Sequence, residues 1–343
     1  MIDLLPSAEQ RQILDATVAF LAERLPVERL RDADAAAGAA EAQQWTRLAE
    51  LGWFGLAMPE EVGGAGFTVA EEVLVHRELG RFLVSPAVLA AALAAQLAHA
   101  AGDAALAQAI IRGERRAGLA LARGELELVP GAVDGDLYLA DAQTAELLVL
   151  WTDAEAVLLP RDGLRGISAV VPMDRTVALE RATACRLAPV CLVPAARAPI
   201  GRRATLLLAA ALAGIAEAAR DRAVAYAKIR EQFGKPIGAF QAIAHHCADM
   251  ALRARAASAQ TVFAAVAERD GRGDAAFQVA AAATVAAEAA VWNATLSIRV
   301  HGGIGFSAEN DAHHFLKRAH LLEMLAGGAR RHRAPLLAGP GEA

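Results

Sequence analysis

The sequence contains little cysteine and no arrangement of cysteines that suggests a disulfide framework. Its 343 residues include three cysteines, Cys185, Cys191 and Cys247. Their spacings match neither a CxxC redox pair nor a zinc site, and an odd count does not complete a set of disulfides. The histidine pairs at 245–246 and 313–314 also lack metal-ligand spacing, because neighbours on a helix point about 100° apart. We therefore expect no metal, and a reducing cytoplasm is the simplest location.

The chain also lacks a basic block and an export signal. It has 34 Lys and Arg against 39 Asp and Glu, a formal charge of -5 and a pI near 6.0, with both signs intermixed. Such a balance does not favour a nucleic-acid partner. Glu9 and Asp15 lie where a signal peptide would have a basic and then an apolar region. We expect a protein that is not exported.

No apolar run is long enough to predict a membrane span. The segment Phe82–Gly102 has no charged residue but consists mainly of alanine and contains Ser85 and Pro86. The segment Leu206–Ala216 is shorter than the roughly 20 residues that cross a bilayer. We expect both segments to be buried helices and the protein to have no membrane partner.

The spacing of apolar residues changes twice along the chain. From Pro6 to Arg115 apolar residues recur at helical spacing, with a capped start at Ser7 and a glycine-rich loop at Leu51–Gly66. Short apolar runs bounded by Gly, Pro and Asp then predict strands, and long alanine-rich helices follow. The prediction is a mostly α fold with a small β domain: an N-terminal helical domain at 1–115, a central β domain at 116–199 and a C-terminal helical bundle at 200–343.

The most specific motif is the segment Arg230–Met250, REQFGKPIGAFQAIAHHCADM. It predicts a helix that ends near Arg230, a turn through Gly234, and a new helix at Gln241. The segment resembles the helix-loop-helix signature of the acyl-CoA dehydrogenase family, whose loop reaches across a subunit interface. By this resemblance Arg230 would bind the pyrophosphate of FAD, Phe233 would cover an apolar part of the cofactor, and Gln241 would hydrogen-bond it.

A second motif, Arg299–Phe306 (RVHGGIGF), resembles the glycine segment of the same family. Gly302 and Gly303 would let backbone amides approach the phosphates of FAD. Many relatives carry Gln at the position of Arg299, so this arginine either serves a phosphate or faces solvent. The resemblance makes Arg299, Gly302 and Gly303 cofactor-binding candidates.

The catalytic base of the family is missing from its usual positions. In the family reaction a carboxylate removes the α-proton of an acyl-CoA while flavin accepts hydride from the β-carbon. The two positions that carry this base in relatives correspond to Ala326 and to about Ala204. Glu309 and Asp311 are the nearby carboxylates and the weak candidates for a replacement. The alternative interpretation is that Glu309 and Asp311 are acidic residues near a helix N-terminus, where the helix dipole stabilises their charge.

The central segment departs from the family as well. Relatives carry a Thr-Glu-Pro-Gly-Ala-Gly-Ser-Asp-like segment that contacts flavin and substrate. Here the run Gly118–Pro130 passes quickly into the next strand. The resemblance thus implies a flavin-binding surface of which one half is degraded.

Together these features favour the base-lacking subunit of a heteromeric, FAD-dependent acyl-CoA dehydrogenase. The resemblance implies an acyl-CoA substrate, a paralogous subunit that supplies the base, a tetrameric assembly and an electron-transfer acceptor protein. The segment Ser307–Ala319 most resembles short bacterial members that act on steroid side chains and other bulky acyl-CoAs. Two alternatives remain: a self-sufficient homotetramer that uses Glu309 or Asp311 as base, and a non-enzymatic scaffold or acyl-CoA-binding protein.

Overall fold

The computed structural model describes residues 4–35, 38–129 and 131–339. Its α-helices are α1 (Ala8–Arg24), α2 (Ala39–Glu50), α3 (Val69–Arg81), α4 (Ala87–Ala101), α5 (Ala104–Ile111), α6 (Ile200–Ile229), α7 (Gln241–Arg269), α8 (Ala275–His301), α9 (Ala312–Leu325) and α10 (Ala329–Ala338). Its strands are β1 (Ala117–Val129), β2 (Ala132–Ala140), β3 (Leu147–Trp151), β4 (Glu155–Pro160), β5 (Arg165–Val170), β6 (Leu179–Leu187), β7 (Cys191–Pro194), β8 (Glu231–Gln232) and β9 (Lys235–Pro236).

Local sequence signals account for several of these boundaries. At the start of α1, the Ser7 hydroxyl accepts from the Gln10 amide at 3.1 Å while the Gln10 side chain accepts from the Ser7 amide at 2.9 Å. This reciprocal pair satisfies two amides that lack partners within the helix. A second signal lies at the C-terminal end of α4, where Gly102 adopts the left-handed conformation with φ 93° and ends the helix. The capped start predicted at Ser7 is confirmed.

The strands β1 to β7 form one sheet, in the order β5-β6-β2-β1-β3-β4-β7. β1 and β3 run parallel, and the other neighbouring pairs are antiparallel. β3 is buried along nearly its whole length, because one face packs on the sheet's own apolar cluster and α4 contacts the sheet strands β1, β3, β4 and β7. The strands predicted from the short apolar runs after Arg115 are therefore present, and they form one seven-stranded sheet.

The helices of the second half pack closely because small residues line their contacts. A β-carbon at Gly214 of α6 would lie 1.9 Å from the Arg77 carbonyl oxygen of α3, so glycine permits the two backbones to touch. Asn293 of α8 is fully buried and donates to the carbonyls of Ala216 and Met250, each at 2.9 Å. One amide therefore joins α6, α7 and α8 in a single bundle.

By packing, the chain divides into two compact units. One comprises the chain up to Asp32, Val69–Val84 and the chain from Thr205 onward, and it is helical apart from the short hairpin β8–β9. The other comprises Ala33–Thr68 and Ser85–Ala204 and contains the sheet. The mostly α fold with a β domain is as predicted from sequence, whereas the three domain boundaries stay a prediction.

Two apolar segments lie buried within helices, as expected from sequence: Phe82–Gly102 provides α4, and Leu206–Ala216 lies within α6. In the described part of the chain, Ala275–Phe306 alone is a helix long and apolar enough to cross a membrane. Half of its most apolar stretch is buried, and core helices commonly pass the same test. This segment is weak evidence for a membrane span.

Candidate functional site

The first motif forms a short hairpin between two long helices. α6 ends at Ile229, and the carbonyl of Arg230 accepts from the Ile237 amide at 2.8 Å, which closes the β8–β9 hairpin. The Arg230 side chain is exposed and has no hydrogen bond or ion pair among the described residues. Gln241 is the first residue of α7 and is also exposed. Both side chains are free to bind a group from outside the chain.

Phe233 lies at the tip of this hairpin in an unfavourable conformation. Its φ is 53° and that of Gly234 is 78°, so both turn residues are left-handed. A two-residue hairpin requires this geometry, but asparagine or glycine adopts it far more readily than phenylalanine. The ring is nonetheless 91% exposed. An exposed aromatic side chain held in a strained turn indicates a binding function more than a role in folding.

The second motif lies at the end of α8. Gly302 terminates this helix with φ 67° and ψ −143°, a conformation that other residues rarely adopt. A β-carbon at either Gly302 or Gly303 would meet only open space, whereas one at Gly305 would lie 2.6 Å from the Ile298 carbonyl oxygen. Gly305 therefore packs the segment against α8. Gly302 and Gly303 leave an open backbone surface that suits a phosphate-bearing ligand.

A stacked ring pair joins the second motif to α6, about one helical turn before the first motif begins. His301 immediately precedes Gly302, and its ring stacks on Tyr226 of α6 with centroids 4.4 Å apart. Its Nδ1 donates to the Ser297 carbonyl at 2.7 Å. Burial lowers the pKa of His301 more than this hydrogen bond raises it, so the ring is neutral near pH 7. Sequence reasoning missed this pair, since nothing in the spacing indicates that residues 75 positions apart would stack.

Arg299 lies on the exposed side of α8, away from any partner among the described side chains. It lines an open groove that also contains Trp292 and Arg253. The Arg253 guanidinium lies 4.4 Å from the centroid of the Trp292 ring. The groove therefore contains an aromatic ring beside guanidinium groups, together with the carboxylates of Glu288 and Glu323.

The two positions that the resemblance predicts for the family's base, Ala326 and about Ala204, are buried alanines. Ala326 caps the end of α9 with 4% exposure, and its carbonyl accepts from Nε2 of His332 at 2.7 Å. Gly327 and Gly328 follow with φ of 96° and 79°. Ala204 is fully buried within α6. Neither methyl group can accept a proton.

The two replacement candidates differ in their surroundings. Glu309 is exposed. Asp311 is 2% exposed and accepts from Arg31 at 2.8 and 3.0 Å and from Arg222 at 3.2 Å. Burial raises the pKa of Asp311, but the Arg31 hydrogen bond and the charges of Arg222 and Arg31 outweigh it and lower the pKa overall. This carboxylate joins η1, the 3₁₀ helix Val27–Ala35, to α6 and the start of α9, a contact that the sequence did not reveal.

The β domain has a hairpin in the place of the usual flavin-contacting segment. The described residues of 117–129 and 132–140 are strand throughout, paired antiparallel with a bulge between Ala122 and Leu126. Pro130, the end of the run singled out in the sequence, lies outside the described residues. This part of the chain therefore forms two central strands of the seven-stranded sheet.

The cysteines and histidines form no further reactive centre among the residues described. No group of three or more possible metal ligands occurs there, and all three cysteines are free. Burial raises the pKa of the Cys191 thiol to about 11, so this group is a neutral thiol near pH 7. His245 and His246 are exposed on α7, and the rings of His313 and His314 lie 4.1 Å apart on α9.

The residues of the two motifs fit half of an FAD site. They offer an exposed guanidinium, an exposed aromatic ring and a glycine backbone with open space beside it. These groups match a pyrophosphate, an apolar ring system and phosphate oxygens respectively. Neither of the two positions predicted for the base carries a carboxylate.

Comparisons with known proteins give the same family across most of the chain. The family model described as acyl-CoA dehydrogenase, N-terminal domain matches residues 7–113, and that described as acyl-CoA dehydrogenase, C-terminal domain matches residues 202–337. Acyl-CoA dehydrogenase FadE34 of Mycobacterium tuberculosis is 38% identical over 297 residues, which are 83% of this chain but 40% of FadE34. The chain thus spans less than half of that relative's length.

Two further matches extend over nearly the whole of this chain and of the protein that it is compared with. Acyl-CoA dehydrogenase IpdE2 of Mycobacterium tuberculosis is 36% identical over 318 residues, 91% of this chain and 91% of IpdE2. The crystal structure of the ChsE4-ChsE5 complex from Mycobacterium tuberculosis matches with a TM-score of 0.87 and 23% identity over the whole of both chains, a likeness of fold. The chain therefore belongs to the acyl-CoA dehydrogenase family, the FAD-dependent oxidoreductases that its two motifs resemble.

Proposed function

We propose that this chain is the base-lacking subunit of a heteromeric acyl-CoA dehydrogenase, and that a paralogous partner supplies the base. The observation that carries the proposal is the surroundings of Ala326. Its side chain is a buried methyl group, its carbonyl is occupied by His332, and two left-handed glycines follow it. A base at this position needs a carboxylate and room for a substrate beside it. The chain provides no carboxylate there.

The exposed residues of the first motif support a shared cofactor. Arg230 and Gln241 have no partner among the described residues, and the Phe233 ring is almost fully exposed. An apolar ring in water and a strained turn both cost free energy, and binding of a ligand to the ring would offset that cost. We infer that they contact FAD held mainly by the partner subunit.

In this arrangement each chain has a separate chemical task. FAD, when bound, accepts hydride from the β-carbon of the acyl-CoA. The Arg230 guanidinium holds the pyrophosphate through charge-assisted hydrogen bonds, and the Phe233 ring excludes water from an apolar part of the cofactor. The open backbone at Gly302 and Gly303 approaches phosphate oxygens. The partner's carboxylate removes the α-proton.

The surroundings of Asp311 do not favour a self-sufficient enzyme. A general base must be free to reach the proton that it removes. Asp311 is buried and engaged by two guanidiniums, and its lowered pKa makes it a weaker proton acceptor. Glu309 lies in solvent on the segment before α9. Asp311 is enclosed but occupied by two guanidiniums, and Glu309 is exposed, so neither carboxylate is placed to act as a general base.

Two of the matched proteins support a heteromeric assembly. The ChsE4-ChsE5 structure is by its name a complex of two proteins, and its fold matches this chain over its whole length. FadE34 is long enough to contain a region like this chain and a second region of similar length. We infer a heterotetramer that passes electrons to an electron-transfer acceptor protein in the cytoplasm, with a straight, branched or steroid acyl-CoA as substrate.

The test is the visible absorption spectrum of the chain purified alone and co-expressed with an acyl-CoA dehydrogenase paralogue. We expect flavin absorbance in the co-purified complex, about one FAD per heterodimer, and bleaching on addition of acyl-CoA. Removal of the partner's carboxylate should abolish bleaching, whereas Glu309→Gln in this chain should not change it. Yellow protein from the lone chain that an acyl-CoA bleaches would contradict the proposal, as would a complex that never binds FAD.

A further inference from the structure

Tyr226 of α6 contacts both of the motifs that we propose for FAD binding. Its backbone carbonyl accepts a hydrogen bond from the Arg230 amide at 2.9 Å, where the first motif begins. Its ring stacks on His301, the residue before Gly302, with centroids 4.4 Å apart and an angle of 27° between the ring planes. One residue therefore joins two segments that lie far apart in the sequence.

The stacked pair is held in place on both sides. The Tyr226 ring packs against an apolar cluster that contains Met250 of α7 and Leu296 and Val300 of α8. The His301 ring is 8% exposed, and its Nδ1 donates to the Ser297 carbonyl at 2.7 Å. Neither ring can turn away without loss of these contacts. The pair therefore fixes the end of α8 against α6.

The first motif is attached to the same stretch of α6. The side chain of Ile237 packs against the cluster that also holds Tyr226, and its amide donates to the Arg230 carbonyl at 2.8 Å. A β-carbon at Gly238 would lie 3.0 Å from the Ala227 carbonyl oxygen. The chain after the hairpin thus returns close to the α6 backbone. The exposed side chain of Arg230 projects from a fixed base.

A second residue of α6 holds the far end of the glycine segment, the stretch Gly302–Phe306 that follows α8. Arg222 lies one turn before Tyr226, so the two side chains share a face of the helix. Its guanidinium donates to Asp311 at 3.2 Å and lies 5.2 Å from the centroid of the Phe315 ring. The chain on both sides of the glycine segment is therefore attached to one face of α6.

We propose that Tyr226 is a positioning residue for the cofactor, which sets the distance between Arg230 and the glycine segment so that both reach one FAD. The inference rests on the proposed function, because it takes FAD as the shared ligand. Groups that bind one ligand together must be held within about 0.5 Å of the productive geometry. Tyr226 acts here through its neighbours and without touching FAD, and Arg222 restrains the other end of the glycine segment.

The affinity of the complex with the paralogue for FAD, measured by fluorescence titration, tests the proposal. Tyr226→Leu removes the stacked ring, so we expect FAD to bind roughly 3- to 10-fold more weakly. Tyr226→Phe keeps the ring and should bind FAD within about twofold of wild type. Hydrogen exchange of the lone chain provides a second measurement. The amides of residues 302–306 should exchange faster in Tyr226→Leu than in wild type or Tyr226→Phe.

Two further variants separate positioning from a general loss of stability. Val279 is 2% exposed and lies near the other end of α8, so Val279→Ala should lower the midpoint of urea unfolding and leave FAD affinity unchanged. The double variant Tyr226→Leu with Arg230→Gln tests the link between the motifs. Because Arg230 is effective only at the correct distance from the glycine segment, Arg230→Gln should cost less affinity in the Tyr226→Leu background than alone.

Three results would overturn the proposal. They are an equal loss of affinity in Tyr226→Phe and Tyr226→Leu, a similar loss in Val279→Ala, and independent effects of the Tyr226 and Arg230 changes. A wild-type complex that binds no FAD would refute the proposed function instead. Hydrogen exchange of the lone chain would then decide whether Tyr226 positions the glycine segment, and unchanged exchange in Tyr226→Leu would overturn that as well.

Discussion

Replacement of Asp311 by asparagine tests whether this carboxylate has a structural or a catalytic role. Asp311 precedes α9, is 2% exposed, and accepts from two nitrogens of Arg31 and from Arg222. The substitution Asp311→Asn would keep the size of the side chain but remove its charge. Two guanidiniums would then face a neutral amide with one acceptor in the place of a carboxylate.

The expected cost follows from burial of this group and the partial exposure of its partners. Removal of one member of a fully buried ion pair costs roughly 3–5 kcal/mol. The Arg31 and Arg222 side chains are 45% and 31% exposed, so water can solvate them when the carboxylate is gone. We therefore expect Asp311→Asn to lower the free energy of unfolding by about 2 kcal/mol at pH 7.

The pH dependence has a defined sign. Because the pKa of Asp311 is below its ordinary value of 3.8 in the folded chain, its charge contributes fully to stability above that value. The contribution is lost as the pH falls through the lowered pKa of the folded state. The difference in unfolding free energy between wild type and Asp311→Asn should therefore shrink below about pH 4.

Urea denaturation across this pH range, with FAD reduction in the assembled complex, provides the assay. We expect reduction by saturating acyl-CoA to stay within about threefold of wild type, since no proton transfer passes through this group. Glu309→Gln, an exposed control, should change neither quantity. Unchanged stability with a loss of reduction of about a thousandfold or more would show that Asp311 is the base and would refute the argument.

Further substitutions test the exposed motif and the helix packing. Arg230→Gln should weaken FAD binding by the complex roughly 10- to 100-fold with unchanged stability, as measured by fluorescence titration, because it removes charge-assisted bonds from an exposed side chain; equal affinity in both proteins would contradict this. Phe233→Asn should raise the free energy of unfolding by about 1 kcal/mol and lower FAD affinity, because asparagine fits φ 53° better; a destabilised variant would show that the turn is not strained. Gly214→Ala should destabilise the fold by about 3 kcal/mol in urea, because the new methyl group meets the Arg77 carbonyl, whereas Gly273→Ala, with open space beside it, should be nearly neutral.

Much of the fold could be predicted from local sequence. The capping pair at Ser7 and Gln10 depends on residues three apart, and the long alanine-rich helices follow from composition and periodicity. The end of α6 at Ile229 and the start of α7 at Gln241 follow from the Gly and Pro between them. These features are decided within a few residues of chain, so the sequence alone indicates them.

The absence of a base at Ala326 and Ala204 was likewise determined by the sequence, since alanine cannot bind a proton in any fold. The tertiary structure alone decided how distant residues meet. The stacking of His301 on Tyr226 and the pairing of Asp311 with Arg31 join positions far apart in the chain. The left-handed turn at Phe233 runs against the residue's own preference. Such contacts depend on how whole helices pack, and no local pattern of residues encodes them.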